Sequence, residues 1–328
     1  MKPIDLRILI PTLALLAGLI GIAALFIGKV SVPLSVWTEP AQDPRWIIIM
    51  ELRIPRSLLG LAVGAALGAS GAALQGFTRN PLADPGVLGV SSCAALGAVA
   101  VIYFGMGYSQ PYLPQIAAVT GAALGIIFLL ALAGNSSSMT VFLLAGVILN
   151  IIGTAAVDAA LSLAPNPWAA QEIINWLFGS LVDRSMNDVQ FACLPILTGI
   201  LLLLSQARNL DALTLGEEGA RALGVNLSRM RVILVLGVGL AIGASVAVTG
   251  IIGFVGLVVP HLMRPLVGHR PGALIAPSAL AGAALLTAAD ILVRAAPSAV
   301  EVRLGIAMSI LGGPFFLGLL LSLRRRLA

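Results

Sequence analysis

Of the 328 residues, 59% are hydrophobic and only 10% are charged, and the mean hydropathy is +1.04. A water-soluble domain carries roughly 25% charged residues, so this chain cannot clothe a water-facing surface and belongs in a bilayer. The net charge of +5 does not point to nucleic acid, because the basic residues stand at the ends of apolar stretches, where positive-inside sorting places them.

Lys2 and Arg7 precede an apolar run over 8–28 that ends at Gly28-Lys29 without a small-x-small cleavage site. It predicts a first membrane helix rather than a signal peptide. Further helices are predicted over 57–77, 87–106, 113–133, 140–162, 190–206, 231–250, 253–267, 273–293 and 304–323, making about ten. Most are long enough to span hydrocarbon; the 253–267 segment is short and carries Pro260. No hydrophilic stretch is long enough for a soluble domain. The expected fold is all-α, a polytopic membrane protein with one transmembrane domain over 1–328. Cys93 and Cys193 fall within apolar segments and read as small core residues, neither a metal finger nor a disulfide framework.

An even number of spans puts both termini on one side. Lys2, Arg7, Arg79, Arg208, Arg221, Arg229, Arg231, Arg264, Arg270 and Arg324 to Arg326 then share that side, whereas Lys29, Arg45, Arg53, Arg56, Arg184, Arg294 and Arg303 face the other. The bias predicts cytoplasmic N- and C-termini.

The chain also repeats itself. Arg56 to Ser70 (RSLLGLAVGAALGAS) lies over Arg231 to Ser245 (RVILVLGVGLAIGAS). In the predicted topology these two helices run in opposite directions, which is the mark of an inverted repeat, with halves at about 53–162 and 229–323. Both copies carry a small-xxx-small face, Gly64 and Gly68 in the first and Gly239 and Gly243 in the second. Such faces let helices approach closely in lipid.

Catalytic groupings are missing from the sequence. His261 and His269 have no carboxylate or cysteine cluster beside them, and no G-x-x-x-x-G-K-[ST] phosphate loop occurs. No metal or other cofactor is expected. Asp158 and Asp290 sit inside or at the edge of spans; for Asp290, one turn from Arg294, an interfacial ion pair stands beside a functional reading. An ion-coupled secondary transporter would need a set of buried carboxylates, and an intramembrane enzyme would need paired catalytic side chains. The informative polar stretch is Leu215-Gly-Glu-Glu-Gly-Ala-Arg-Ala-Leu-Gly-Val225. A short helix of these residues, ended by Gly224, would make a rigid lever for seating in a soluble partner.

Within that stretch Glu218-x-Ala220-x-x-x-Gly224 resembles the loop by which ABC importer permeases hold their ATPase. Arg53-Ile-Pro-Arg56, the Gln75 to Gly89 segment (QGFTRNPLADPGVLG), Gly253 to Arg264 (GFVGLVVPHLMR), Ala289-Asp-Ile-Leu-Val-Arg294 and Gly312-Gly-Pro-Phe-Phe316 accompany it in that order. Together they resemble the FecCD family of ABC permeases, importers of ferric siderophores, haem and cobalamin, over nearly the whole chain.

The resemblance implies a pair of permease subunits, here two copies of one chain, in the lipid of a bacterial inner membrane. Two ATP-binding cassette subunits would lie below them and a periplasmic substrate-binding protein above. It implies ATPase coupling through Gly216, Glu217, Glu218, Ala220, Arg221 and Gly224. Docking of the binding protein would fall to Arg53, Arg56 and Arg294, whose planar forks suit carboxylates, although interfacial snorkelling would place arginines there too. Asn150, Thr154, Asp158, Ser309 and Gly312 would line the passage, although buried helix contacts would carry such a stripe too, and Ser138, Met139 and Thr140 would form a cytoplasmic gate, with a tight solvated turn as the alternative. For Asn80-Pro-Leu-Ala-Asp84-Pro the expected role is structural: the prolines stop helices while Asn80 and Asp84 satisfy freed backbone groups.

Overall fold

The computed structural model describes residues 4–33, 35–38, 43–108, 110, 112–134, 139–296 and 302–327, with side chains omitted at 319, 320 and beyond 321. In chain order the helices are α1 (Leu6–Phe26), α2 (Ser35–Thr38), α3 (Ile54–Thr78), α4 (Val90–Tyr103), α5 (Leu113–Ala133), α6 (Met139–Ser162) and α7 (Pro167–Leu177). They continue as α8 (Met186–Ser205), α9 (Ala207–Leu213), α10 (Gly216–Ala222), α11 (Leu227–Thr249), α12 (Val255–Met263), α13 (Pro271–Ala295) and α14 (Leu304–Leu327). No strand occurs among the described residues, so the expected all-α polytopic class is the class observed. Among the described residues seven helices are long and apolar enough to cross a membrane; α4, α12 with its extension to Leu266, and the apolar part of α14 are shorter.

Burial divides the spans into two sets. The most apolar windows of α3, α11 and α13 are 78%, 78% and 67% buried, while those of α1, α5, α6 and α8 are only 28–33% buried. The first set therefore forms the middle of the bundle, and the second turns leucines and isoleucines outward, as a lipid-facing layer does. Small residues explain how α3 lies so close against α13 and α12. A methyl group added at Gly64 or Gly68 would collide with the carbonyls of Gly282 and Ser278 on α13, and one at Gly71 would strike Gly256 at the start of α12. The second glycine pair has a similar use: Gly239 and Gly243 leave room for Ile126 and Ala122 of α5. Lipid supplies little hydrophobic drive between helices, so such close backbone approach carries much of the cohesion.

Two spans are broken. After α3 the chain turns at Arg79 (φ 51) and makes a 3₁₀ turn at Pro85–Leu88 before α4. After α11 it unwinds from Gly250 to Phe254, where Phe254 takes φ 67, and only then enters α12. The polar residues of the first break act as expected. Asn80 Oδ1 accepts from the Leu82 amide at 2.9 Å, and Asp84 Oδ1 accepts from the Gly86 amide at 2.8 Å. Irregular backbone at membrane depth persists only where protein or an internal cavity surrounds it, and here the two breaks meet around one cavity.

Helix α7 was not among the expected elements. It has 11 residues, starts at Asn166, whose side chain accepts from the Ala169 amide at 2.8 Å, and buries Ala169 and Ile173. Gln171, Glu172 and Asn175 make it too polar to read as a span, and it is too short to be one.

Candidate functional site

The 215–225 segment folds as anticipated, into a capped short helix. Gly224 takes φ 85 and donates to the Arg221 carbonyl at 2.9 Å, while Val225 donates to the Ala220 carbonyl at 3.0 Å. This pair of bonds is the Schellman closure, which requires a left-handed residue at Gly224. Glu218, Arg221, Leu215, Leu223 and Gly224 are exposed; Gly216 and Glu217 are half-buried. Arg221 lies 3.7 Å from Glu217, one turn earlier, a pairing worth a few tenths of a kcal/mol on an exposed helix. Ala220 is fully buried and seats the helix on its neighbours α9 and α11.

What lies beneath gives α10 its mechanical meaning. Helix α9 buries Leu210 and Leu213, and Asp211 accepts from the Gly272 amide and from Arg270, both at 2.8 Å. A carboxylate thus caps the first turn of α13, where free amides and the helix dipole favour it. Gly272 also lies against the Ala207 backbone so closely that no side chain would fit. Helix α10 thus rests on α9, and α9 is bonded to the start of α13, the helix most extensively packed on α3.

The arginines expected to face a docking partner are turned inward. Arg53 is 4% exposed and donates to the carbonyls of Leu25 at 2.8 Å, Phe26 at 3.2 Å and Val30. The Leu25 and Phe26 carbonyls are among those that the end of α1 leaves without helical partners, and Val30 stands in the turn beyond it. Arg56 meets Asp290 through Nε at 3.0 Å and Nη2 at 2.7 Å, and Arg294 Nε lies 3.0 Å from the same carboxylate. Side-chain exposures are 12% for Arg56, 6% for Arg294 and 2% for Asp290. The sequence already made Asp290 a partner for Arg294 at one-turn spacing. It carried no sign that Arg56, 234 positions away, shares the same carboxylate.

A cavity of about 310 Å³ opens where the two broken spans meet. Asn150 and Thr154 of α6 line it, together with Asp84, Ser91, Ser92 and Phe254. Gly312 reaches it indirectly: the Phe254 ring occupies the space a side chain there would need. Asp158 and Ser309 are not among its lining residues. Asp158 is exposed further along α6, and the Ser309 hydroxyl donates to Gly305 within α14 at 2.9 Å. Met139 and Thr140 open α6, Met139 half-buried and Thr140 exposed, while Ser138 lies outside the described residues. Asp84, Ser91, Ser92 and Phe254 had not been singled out as lining. Their signal was the Pro and Gly density of the two breaks, which reads as turn chemistry until the fold brings the turns together. His261 packs edge-on against Phe315 at 5.9 Å, and no group of three metal-binding side chains occurs among the described residues.

A broken-helix bundle with an internal cavity and a short capped helix projecting at one end describes a membrane transport subunit. The FecCD transport family model matches residues 14–322, and the chain belongs to that family. It is 38% identical over 329 residues to the hemin transport system permease protein HmuU of Yersinia pestis, covering 98% of this chain and 97% of that protein. The vitamin B12 import system permease protein BtuC of Escherichia coli is 38% identical over 317 residues, covering 95% and 94%. Among solved structures, an inward-facing metal-chelate type ABC transporter superposes with a TM-score of 0.85 at 30% identity, covering 97% of this chain and 99% of that one. The chain is a transport component of this family rather than an enzyme.

Proposed function

We propose that this chain is the membrane-spanning permease subunit of an ATP-driven importer for an iron complex, a ferric siderophore or haem, with cobalamin as the alternative cargo. Similarity to a hemin permease and to a vitamin B12 permease supports both cargoes. Two copies of the chain would enclose the passage in the bacterial inner membrane, with N- and C-termini cytoplasmic. Two ATP-binding cassette subunits would grip the α10 segment, and a periplasmic binding protein would deliver the cargo.

The observation that carries this reading is the exposed, Schellman-closed α10 set through α9 on the first turn of α13. Closure of the ATPase pair would displace Glu218 and Arg221, and α9 would pass that displacement to α13 and α3. The halves at about 53–162 and 229–323 would then rock around the cavity that Asn150 and Thr154 line. The glycine faces keep helix contacts smooth enough to slide. Docking of the binding protein at Arg53, Arg56 and Arg294 would require its carboxylates to displace Asp290 from Arg56 and Arg294 and the backbone carbonyls at the end of α1 from Arg53.

The test is ATP-driven uptake of haem, a ferric siderophore or cobalamin by the complete complex in proteoliposomes. Combining Glu218→Arg with Arg221→Glu should abolish uptake while leaving the chain in the membrane. Unchanged uptake would remove α10 from the coupling path, and nucleotide-free accumulation by the chain alone would overturn the importer reading.

A further inference from the structure

At the end of the bundle that carries α9 and α10, a second cavity of about 250 Å³ is lined by Gln75, Arg79, Thr214, Arg264, His269 and the first turn of α13. The importer reading makes no use of it. Three of its lining residues are basic and none is acidic, in a chain whose charged residues amount to only 10%. The basic groups come from three separate places: Arg79 closes α3, Arg264 follows α12, and His269 stands in the turn before α13.

Arg264 is the informative member. Its Nη2 donates to Gln75 Oε1 at 2.6 Å, and Gln75 Nε2 in turn donates to the Gly256 carbonyl at 3.2 Å. That chain of bonds fixes the guanidinium in position yet leaves its Nε buried with no acceptor. The adjacent carboxylate, Asp211, is committed to Arg270 and to the Gly272 amide. The guanidinium so fixed belongs to the wall of an open volume that Arg79 and His269 also line and that has no acid among its lining residues, and such a concentration of positive groups favours an anion.

The geometry narrows the class. Donors converge from three elements, while the first turn of α13 is already capped by Asp211. A tetrahedral anion accepts from several directions at once and takes an arginine fork through two oxygens, whereas a planar carboxylate would satisfy one fork and neglect the rest. We propose that this cavity is a phosphate-binding site, taking either the phosphate of an anionic phospholipid or free phosphate through Arg79, Arg264 and His269. The site stands independently of the cargo.

The test uses the full chain in lipid nanodiscs. In phosphatidylcholine discs, equilibrium binding of labelled inorganic phosphate is measured; in discs containing phosphatidylglycerol, native mass spectrometry counts the lipid that stays bound. One saturable phosphate per chain in the first arm supports the proposal with free phosphate as the source. One retained phosphatidylglycerol that inorganic phosphate does not displace supports it with lipid as the source. Arg79→Gln, at an exposed position with no packing role, should weaken binding about tenfold, the worth of one charge-assisted contact. Arg264→Gln should do so at least as strongly, while Arg208→Gln on the exposed side of α9 should leave it unchanged. The proposal is overturned by no saturable binding in either arm, or by equal losses in all three variants. Cross-linking that places an acidic side chain of the ATPase in the cavity would also overturn it.

Discussion

Asp290→Asn isolates the energetics of the buried charge cluster. Asparagine keeps the shape of aspartate and removes the charge, so Arg56 and Arg294 lose the carboxylate they share at 2.7 and 3.0 Å. Both guanidinium groups are largely buried, and water can replace little of what they lose. Removing one partner from a buried ion pair costs about 3–5 kcal/mol, a large part of the roughly 5–15 kcal/mol that holds a typical domain folded. The chain carries its own reporter for this loss. Cys93 and Cys193 are free, half-buried thiols, and a thiol-reactive fluorophore will label them as the helices separate on heating. Asp290→Asn should therefore unfold at a clearly lower temperature in detergent. Replacing all three groups together, as Arg56→Met, Asp290→Leu and Arg294→Met, should recover part of the loss, because a well-packed apolar substitute avoids the desolvation cost. If Asp290→Asn melts at the parent temperature, the cluster does not hold α3 against α13 and the argument fails.

Other expectations follow from the same geometry. Gly224→Ala meets no atom within 4 Å of the added methyl, so its cost of about 1 kcal/mol is purely the left-handed backbone; hydrogen exchange over 216–225 should rise and ATP-driven uptake fall at unchanged membrane levels. Gly68→Val drives a side chain into the Ser278 carbonyl and should reduce folded yield sharply on size-exclusion chromatography, whereas Gly18→Ala, with open space around it, should be neutral. Thr154→Trp should fill much of the cavity between the broken spans and slow uptake while leaving ATP hydrolysis by the assembled complex intact.

Much of this was legible in one dimension. Spans are visible because each must supply an unbroken apolar stretch to hydrocarbon, and that demand is local. The α10 lever was legible for the same kind of reason. Its exposed charges, its buried Ala220 and the left-handed Gly224 act within a few residues of one another, so their order along the chain already states their geometry. Helix α7 escaped because an 11-residue surface helix need not be apolar throughout. The breaks at Asp84–Gly89 and Ile251–Phe254 were visible as proline and glycine punctuation, but not as two walls of one cavity.

The amino-acid order alone determined that this chain lives in a membrane, where most of its helices run and where the short capped helix α10 stands, since each depends on neighbours a few positions apart. Only the tertiary structure decided how Arg53, Arg56 and Arg294 are occupied. A guanidinium responds to whichever acceptor lies nearest in space, and for Arg56 that acceptor sits on a helix 234 positions away. The clustering of Arg79, Arg264 and His269 was decided in the same way, by three helix ends brought together.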